Sequence, residues 1–332
     1  MTELCDLTAI EARRCIGTKE ISPVELLESC IARTQVINPV VNSIVTTCYD
    51  RAREEAKVAE KQVLSGEHLG LLHGLPFGAK DLESTGDVRT TMGSQLFADN
   101  VPDADQRSIA HIRVNGGILM GKTNTPEFGA GANTRNLVFG ATGNPFNPKL
   151  SCAGSSGGSA VSLATSMVPL ATGSDYGGSL RTPASFCGVV GFRPSPGVVP
   201  NELRSVGLNP FSVLGPMGRT VSDAALLLSA MISDDPRDPF GSGTNTELAK
   251  PLQPADLAHF RVAISEDLGT APLDDDIRQC FRRKIKGIQH IFLSTQHQDP
   301  PFDDDLHRAF EVLRCVNYLS AHAEKLAKHR DL

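Results

Sequence analysis

The sequence predicts an α/β fold: a central mixed, largely parallel, twisted sheet flanked by helices on both faces. Two observations carry this. Amphipathic helical stretches alternate along the chain with short apolar runs, the pattern of strands joined by helical crossovers. Residues 151–197 also hold two Gly/Ser-rich turns, Gly154-Ser155-Ser156-Gly157-Gly158-Ser159 and Gly173-Ser174-Asp175-Tyr176-Gly177-Gly178-Ser179, separated by a small-residue helical run and an apolar strand. One such turn alone reads as a surface loop. Two of them flanking a helix–strand unit, the second running on into Leu180-Arg181-Thr182-Pro183, do not read as linker.

The elements follow in order. Residues 22–37 open with Ser22-Pro23, an N-cap and a proline at the first helical position, then carry a one-sided stripe of Val24, Leu27, Cys30, Ile31 and Thr34. Residues 48–64 place Ala52, Ala56, Ala59 and Val63 on one face of a second helix. Pro76 to Lys80 reads as a short strand ending on a charge, residues 105–116 as a helix, and Ile118 to Thr123 as a buried strand before the loop Asn124–Gly129. Ala160 to Ser166 is helical, Val168 to Thr172 a strand, and Val189 to Phe192 another. A very apolar helix runs over 220–233, starting at Thr220. Residues 234–258, rich in Asp, Pro, Gly and Ser, read as a long connection within one domain. Phe260 to Ile264 is the next strand, followed by helices over 274–291 and 303–328, with Asp303-Asp304-Asp305 favouring the start of the last. The reading is one domain over 1–332: an N-terminal helical layer (1–70), a core (71–200) and a helix/strand continuation (201–332).

Composition narrows the function classes. Of 332 residues 40% are hydrophobic and 21% charged, an ordinary globular balance. A net charge of −6 gives no basic footprint for nucleic acid. The densest basic cluster, Arg282-Arg283-Lys284-Ile285-Lys286, reads as the solvated face of a helix. No apolar run approaches the roughly 18 residues of a membrane span. The N-terminus carries Glu3 and Asp6 and lacks the apolar stretch of a secretory signal, so a cytoplasmic setting is expected. Eight dispersed cysteines without a C-x-x-C read as free thiols. Nine histidines without zinc spacing, and an Asp run without calcium-loop glycine, leave no metal site expected.

The glycines of the two turns let backbone approach a ligand and leave N–H groups free to converge on an anion. A serine ending such a turn can be a nucleophile beside an oxyanion hole. The stretch resembles the amidase signature family of Ser-Ser-Lys hydrolases, through Gly154–Ser159, Asp175-Tyr176-Gly177-Gly178-Ser179-Leu180-Arg181 and Cys187-Gly188-Val189-Val190-Gly191-Phe192-Arg193-Pro194. Gly74-Leu75-Pro76-Phe77-Gly78-Ala79-Lys80-Asp81 is similar to the family segment that supplies a catalytic lysine. On residues alone, Lys80 would be an unremarkable exposed strand end.

The resemblance implies the amidase-signature fold, with residues 71–200 as its catalytic core, and a set of roles. Ser179 is the acyl-accepting nucleophile, Ser155, preceded by a cis peptide bond, relays the proton, and Lys80, uncharged at rest, is the base. The backbone N–H groups of Tyr176, Gly177, Gly178 and Ser179 would form the oxyanion hole, and Phe128 and Gly129 would border the acyl pocket. Asp175 and Arg181 would brace the loop, a plain surface ion pair being the alternative, and Ser156 would be a hydrogen-bonding support. No cofactor or metal is needed, and the partner is a small-molecule amide, with neither nucleic acid nor membrane; a homodimer is left open. Family members usually continue past the position of Leu332, so the chain is expected to lack a C-terminal part and to show weak or no turnover as it stands. Three readings compete: a stand-alone amidase, the A-type subunit of a glutamyl- or aspartyl-tRNA amidotransferase, and a truncated non-catalytic paralogue or binding protein. The amidotransferase component typically reads Gly-Leu-Lys-Pro-Thr where this chain has Gly191-Phe192-Arg193-Pro194-Ser195, which favours the first.

Overall fold

Thr8 and Ser22 each close a capping box with the glutamate three residues on, Glu11 and Glu25. These caps start α1 (Ala9–Gly17) and α2 (Pro23–Val41) by satisfying N–H groups that the first helical turn leaves open. The computed structural model describes residues 3–241, 246–250, 252–302 and 305–329. After α2 come β1 (Ile44–Thr47), α3 (Tyr49–Ser65), β2 (Pro76–Lys80), α4 (Arg107–Val114) and β3 (Ile118–Thr123). A two-residue hairpin, β4 (Arg135–Asn136) and β5 (Gly140–Ala141), precedes α5 (Gly157–Ala164), β6 (Leu170–Asp175), α6 (Arg181–Cys187), β7 (Val190–Gly191), β8 (Val213–Gly218) and α7 (Val221–Met231).

Six of these strands form one sheet in the order β1-β3-β2-β6-β8-β7. The sheet is mixed, but parallel only at its centre. β2 pairs parallel with β3 and β6, while β1 on β3, β8 on β6 and β7 on β8 are antiparallel. The expectation of a largely parallel sheet misses this because β1 and β8 escape the sequence pattern. β1 is four residues long, and β8 reads Val-Leu-Gly-Pro-Met-Gly, a composition that argues against an interior strand. β6 also lies further along than Val168–Thr172: its pairing with β8 continues through Ser174 and Asp175, which the Gly/Ser content marks as turn.

Successive residues of a strand face opposite sides. On β2, a side chain at Gly78 would meet Ser162 of α5, whereas the Phe77 ring lies beside Gly117, just past α4, so helices cover both faces. The α3 stripe Ala52, Ala56, Ala59 and Val63 is buried, and so are Leu26, Leu27, Phe77, Leu119 and Leu170. The capping box at Thr220 with Asp223 starts α7 where the sequence places it.

Residues Leu252–Lys328 form a compact unit of their own. It holds β9 (Arg261–Ile264), α8 (Asp275–Ile288), β10 (Ser294–His297) and α9 (Leu306–Lys328), with β9 and β10 paired parallel. The basic run of α8 lies in solvent, where Arg282 pairs with Glu266. The segment 234–258 contains short helical turns at Thr246–Ala249 and Leu257–His259, and residues 242–245 and 251 of it lie outside the described residues. So do Asp303 and Asp304, expected to favour the start of α9. All eight cysteines are free thiols. Among the described residues no helix is long and apolar enough to cross a membrane.

Candidate active site

The carboxyl ends of β2, β3 and β6 lie side by side at Lys80, Thr123 and Asp175, the edge of an open α/β sheet where ligands characteristically bind. Lys80 is fully buried. Its main-chain N–H donates to Thr172 Oγ1 at 3.1 Å, which fixes the strand end. Its Nζ donates to three hydroxyls, Ser155 Oγ at 2.7 Å, Ser156 Oγ at 2.8 Å and Ser174 Oγ at 3.0 Å. Burial disfavours the charged amine and brings Lys80 down to about 7, with Glu83 and Asp175 offsetting part of the effect. Near neutral pH the amine therefore has a neutral form available, with a lone pair that can accept a proton from one of these serines.

Ser155 and Ser156 lead into α5, whose positive end also disfavours a charged lysine. The Gly154–Ser155 peptide is cis. A side chain on Gly154 would come within 3.2 Å of the Asn133 backbone and the Gly131 carbonyl, so that backbone would have to give by a few tenths of an ångström to admit one. Ser155 is 2% exposed. Ser156 Oγ, besides serving Lys80, accepts from Ser174 N–H at 3.3 Å and ties the turn to β6.

Ser179 is half-buried and sits in the turn between β6 and α6. Its carbonyl accepts from Ser156 N–H at 3.2 Å, so the two turns are joined through backbone. Among the described residues no hydrogen bond links the Ser179 and Ser155 hydroxyls. The loop carrying Ser179 is braced by Asp175, which is fully buried. Its carboxylate accepts from Gly178 N–H at 2.8 Å and Leu180 N–H at 3.1 Å, from Arg181 Nε and Nη2 at 3.1 Å each, and from Arg193 Nη1 at 3.0 Å. Burial pushes this carboxyl up, but the bonds from Arg181, Gly178 and Leu180 outweigh it and leave it below the usual carboxylate range. In the Asp175–Arg181 pair the carboxylate is fully buried, whereas Arg181 is more than half exposed.

The backbone N–H groups of the turn around Ser179 differ in what they bond. Gly178 N–H is committed to Asp175, and the residue's φ of +118° shapes the turn. Among the described residues no hydrogen bond takes up the N–H of Gly177 or Ser179. The Tyr176 ring lies against Phe211 at 5.6 Å between centroids. Gly129 stands close by: a side chain there would reach within 3.5 Å of Ser155 Oγ and 2.7 Å of Leu82. Phe128 beside it packs edge-on to Phe97.

Four residues of the site and its surroundings escape sequence reasoning. Ser174 looks like part of a Gly/Ser turn, yet as the fifth residue of β6 it reaches Lys80. Arg193, which also donates to the Asp175 carbonyl, lies inside the stretch that carries the family resemblance, but nothing in the sequence assigns it to Asp175. Lys122 and Glu83, both fully buried beside the strand ends, carry no motif signal. Among the described residues no group of three His, Cys, Asp or Glu side chains could hold a metal ion. A cavity of about 700 Å³ lies elsewhere, lined by Glu54, His73, Arg113 and Ile118 at the amino end of β3.

Residues 25–328 match the family model described as Amidase. An acylamidase of Rhodococcus erythropolis is 36% identical over 271 residues, covering 82% of this chain and 57% of the relative. The A-type subunit of the glutamyl-tRNA(Gln) amidotransferase of Thermosynechococcus vestitus is 34% identical over 286 residues, covering 85% of this chain and 58% of the relative. The chain thus spans less than two thirds of the length of these curated relatives. Among solved structures, a bacterial aryl acylamidase of the amidase signature enzymes superposes with a TM-score of 0.82 at 28% identity, over 96% of this chain and 67% of that one. The chain belongs to the amidase family, the amidase signature enzymes.

Proposed function

We propose that the chain carries the amide-hydrolysing machinery of an amidase, converting a carboxylic amide and water to an acid and ammonia or an amine through an acyl-enzyme on Ser179. The observation that supports this most is Lys80, a fully buried amine whose Nζ donates to three serine hydroxyls, Ser155 the nearest at 2.7 Å. A serine hydroxyl is a weak nucleophile without a base, and a lysine kept neutral by burial is one.

In this mechanism the Ser179 hydroxyl turns toward Ser155 and attacks the amide carbon. Its proton passes to Ser155 Oγ as the Ser155 proton passes to Lys80 Nζ. The carbonyl oxygen becomes an oxyanion, for which the N–H groups of Gly177 and Ser179 and the backbone of Tyr176 are the donors; Gly178 contributes the turn. The C–N bond then breaks, and the leaving nitrogen takes its proton from Lys80 through Ser155. Water, deprotonated along the same relay, attacks the acyl carbon; the bond to Ser179 Oγ breaks, that oxygen takes its proton back from Lys80 through Ser155, and the acid is released. Each step conserves the proton, so neither metal nor organic cofactor enters the scheme. The expected partner is a small amide in a cytoplasmic setting, without nucleic acid or membrane, and a homodimer is compatible with this scheme.

The second reading, the A-type component of a glutamyl- or aspartyl-tRNA amidotransferase, is supported by the relatives of that name. Arg193, held on Asp175 where that component typically carries lysine, favours the first. The test is turnover of a panel of aryl and alkyl amides against glutamine, followed as released amine or ammonia. Amine release from aryl or alkyl amides, lost in Ser179→Ala, is expected. Turnover that survives Ser179→Ala contradicts the assignment, and hydrolysis of glutamine alone favours the second reading.

A further inference from the structure

Three hydroxyls surround Lys80 Nζ, and their protons tell them apart. A charged lysine amine carries three N–H donors and no acceptor. Ser155 Oγ at 2.7 Å, Ser156 Oγ at 2.8 Å and Ser174 Oγ at 3.0 Å match it one for one. A neutral amine carries two N–H donors and one lone pair. One of the three hydroxyls must then turn and donate to the nitrogen, and the relay needs that one to be Ser155.

Ser156 is not free to do so. A hydroxyl has one proton and two lone pairs. Ser156 Oγ accepts from Lys80 Nζ and from Ser174 N–H, and its own proton goes to the Ser174 carbonyl at 3.3 Å. The choice is left between Ser155 Oγ and Ser174 Oγ, each of which has Lys80 Nζ as its one hydrogen-bond partner among the described residues. Their surroundings differ. Ser155 is buried, so its proton has no water to go to, and an unmet buried donor is costly. The Lys80 lone pair satisfies it. Ser174 is half-buried, so its proton can go to water while its oxygen accepts from Lys80. That oxygen is also held in place, because β6 pairs with β8 at Ser174 and Leu214 and the Ser174 N–H and carbonyl both bond Ser156.

We propose that Ser174 is a positioning residue for the base: with Ser156 it holds the two N–H groups of neutral Lys80, so that the lone pair is left to Ser155. The inference rests on the reading of Lys80 as the base. The ionisable groups on the neighbouring elements are Asp81 and Glu83 after β2, Lys122 on β3 and Asp175 on β6, while α5 carries none. Glu83 and Asp175 favour the charged form of Lys80 and burial opposes it. The three hydroxyls add a direct contribution, since each accepts a hydrogen bond from the charged amine.

The test is the pH dependence of inactivation of the full chain by a fluorophosphonate, with Ser174→Ala and Ser174→Thr beside the wild type. Ala takes one of three acceptors from the charged amine. The midpoint of the rising limb should move to lower pH by about half a unit, roughly threefold in proton concentration. The lone pair also loses its direction, so the plateau rate above the midpoint should fall about tenfold. Thr keeps the hydroxyl and should return both values to within about twofold of the wild type. A plateau that is unchanged or higher in folded Ser174→Ala overturns the proposal; a higher one would mean that Ser174 takes the lone pair from Ser155. A lower plateau at an unmoved midpoint overturns it too, because a merely structural role has that effect. So does a Thr variant that behaves like Ala. If Ser174→Ala does not fold, Ser174→Cys, close in size and a weak acceptor, should show the same two changes, and wild-type values in it overturn the proposal. No inactivation of the folded wild type at any pH would instead count against the proposed function. Nuclear magnetic resonance titration of Lys80 Nζ then decides on Ser174: a lower midpoint in the variant is expected, and an equal one overturns the inference.

Discussion

Two regions of this chain treat apolar side chains in opposite ways. In the six-stranded unit, Ile16, Leu26, Phe77 and Leu119 are fully buried, and even two lysines lose all contact with solvent. In residues 252–328 Ile264 is the one buried apolar side chain among those described, while Phe260, Leu293, Leu313 and Leu319 are exposed. Both regions read in the sequence as helices alternating with short strands. The difference is in what covers the strands. β2 and β6 each have a strand on both sides, whereas β9 and β10 form a two-stranded sheet by themselves. A dry interior is what makes Lys80 chemically unusual, because desolvation outweighs its neighbouring carboxylates. The same residue type in the second region, Lys284 or Lys286, lies in solvent. Periodicity therefore identifies elements, while depth of burial decides whether a lysine can be a base.

The sharpest way to break the comparison is at that lysine. Lys80→Ala should slow fluorophosphonate labelling by about a thousandfold or more, because the Ser179 hydroxyl then has no base; that is roughly 4 kcal/mol of activation free energy. Leu319→Ala, in the exposed region, should leave the labelling rate unchanged. Stability should split the same way. Phe77→Ala removes a fully buried ring and should cost about 3–5 kcal/mol in urea unfolding, against about 0.5 kcal/mol or less for Leu319→Ala. Equal costs would show that the second region is packed as tightly as the first.

A smaller effect sharpens the account of the loop that holds Ser179. Asp175→Asn strips a charge bonded by two arginines and two backbone N–H groups. It should cost about 2–3 kcal/mol at neutral pH, less than a fully buried pair because Arg181 is more than half exposed. The folded Asp175 binds its proton more weakly than the unfolded one, whose ordinary value is 3.8. Its contribution is therefore complete above that value and is lost as pH falls through the lower folded value. The gap between wild type and variant, followed by thermal melts, should close as the medium is acidified below about pH 4. The smallest effect belongs to a helix start: Ser22→Ala should cost about 1 kcal/mol, since only the bond from Glu25 N–H to the Ser22 hydroxyl is lost, while the Ser22 N–H keeps its bond to the Glu25 carboxylate.

How legible the site was in the sequence follows from how local each feature is. The turns carrying Ser155, Ser156 and Ser179 are runs of consecutive residues, and Lys80 closes a short apolar strand, so local pattern and family resemblance reach them. The caps at Ser22 and Thr220 are equally local. Ser174 was obscured because a Gly/Ser-rich segment can be strand when a partner pairs with it, as β8 does with β6. Pro216 hid that partner. Glu83 and Lys122 come together only through the pairing of β2 with β3 and the turn after β2, which no spacing in the sequence records. The bond from Gly178 N–H to Asp175 likewise depends on a side chain that two arginines hold.

The central claim is that Ser179 is made nucleophilic by Lys80 through Ser155. It is tested most directly by treating the folded full chain with a fluorophosphonate at about pH 8, where an amine titrating near 7 is mostly neutral, and mapping the adduct by peptide mass spectrometry. The account predicts one adduct, on Ser179, absent from Ser179→Ala and strongly reduced in both Lys80→Ala and Ser155→Ala. An adduct on Ser155 or Ser156 in place of Ser179, or labelling of Ser179 that is indifferent to Lys80, would contradict it.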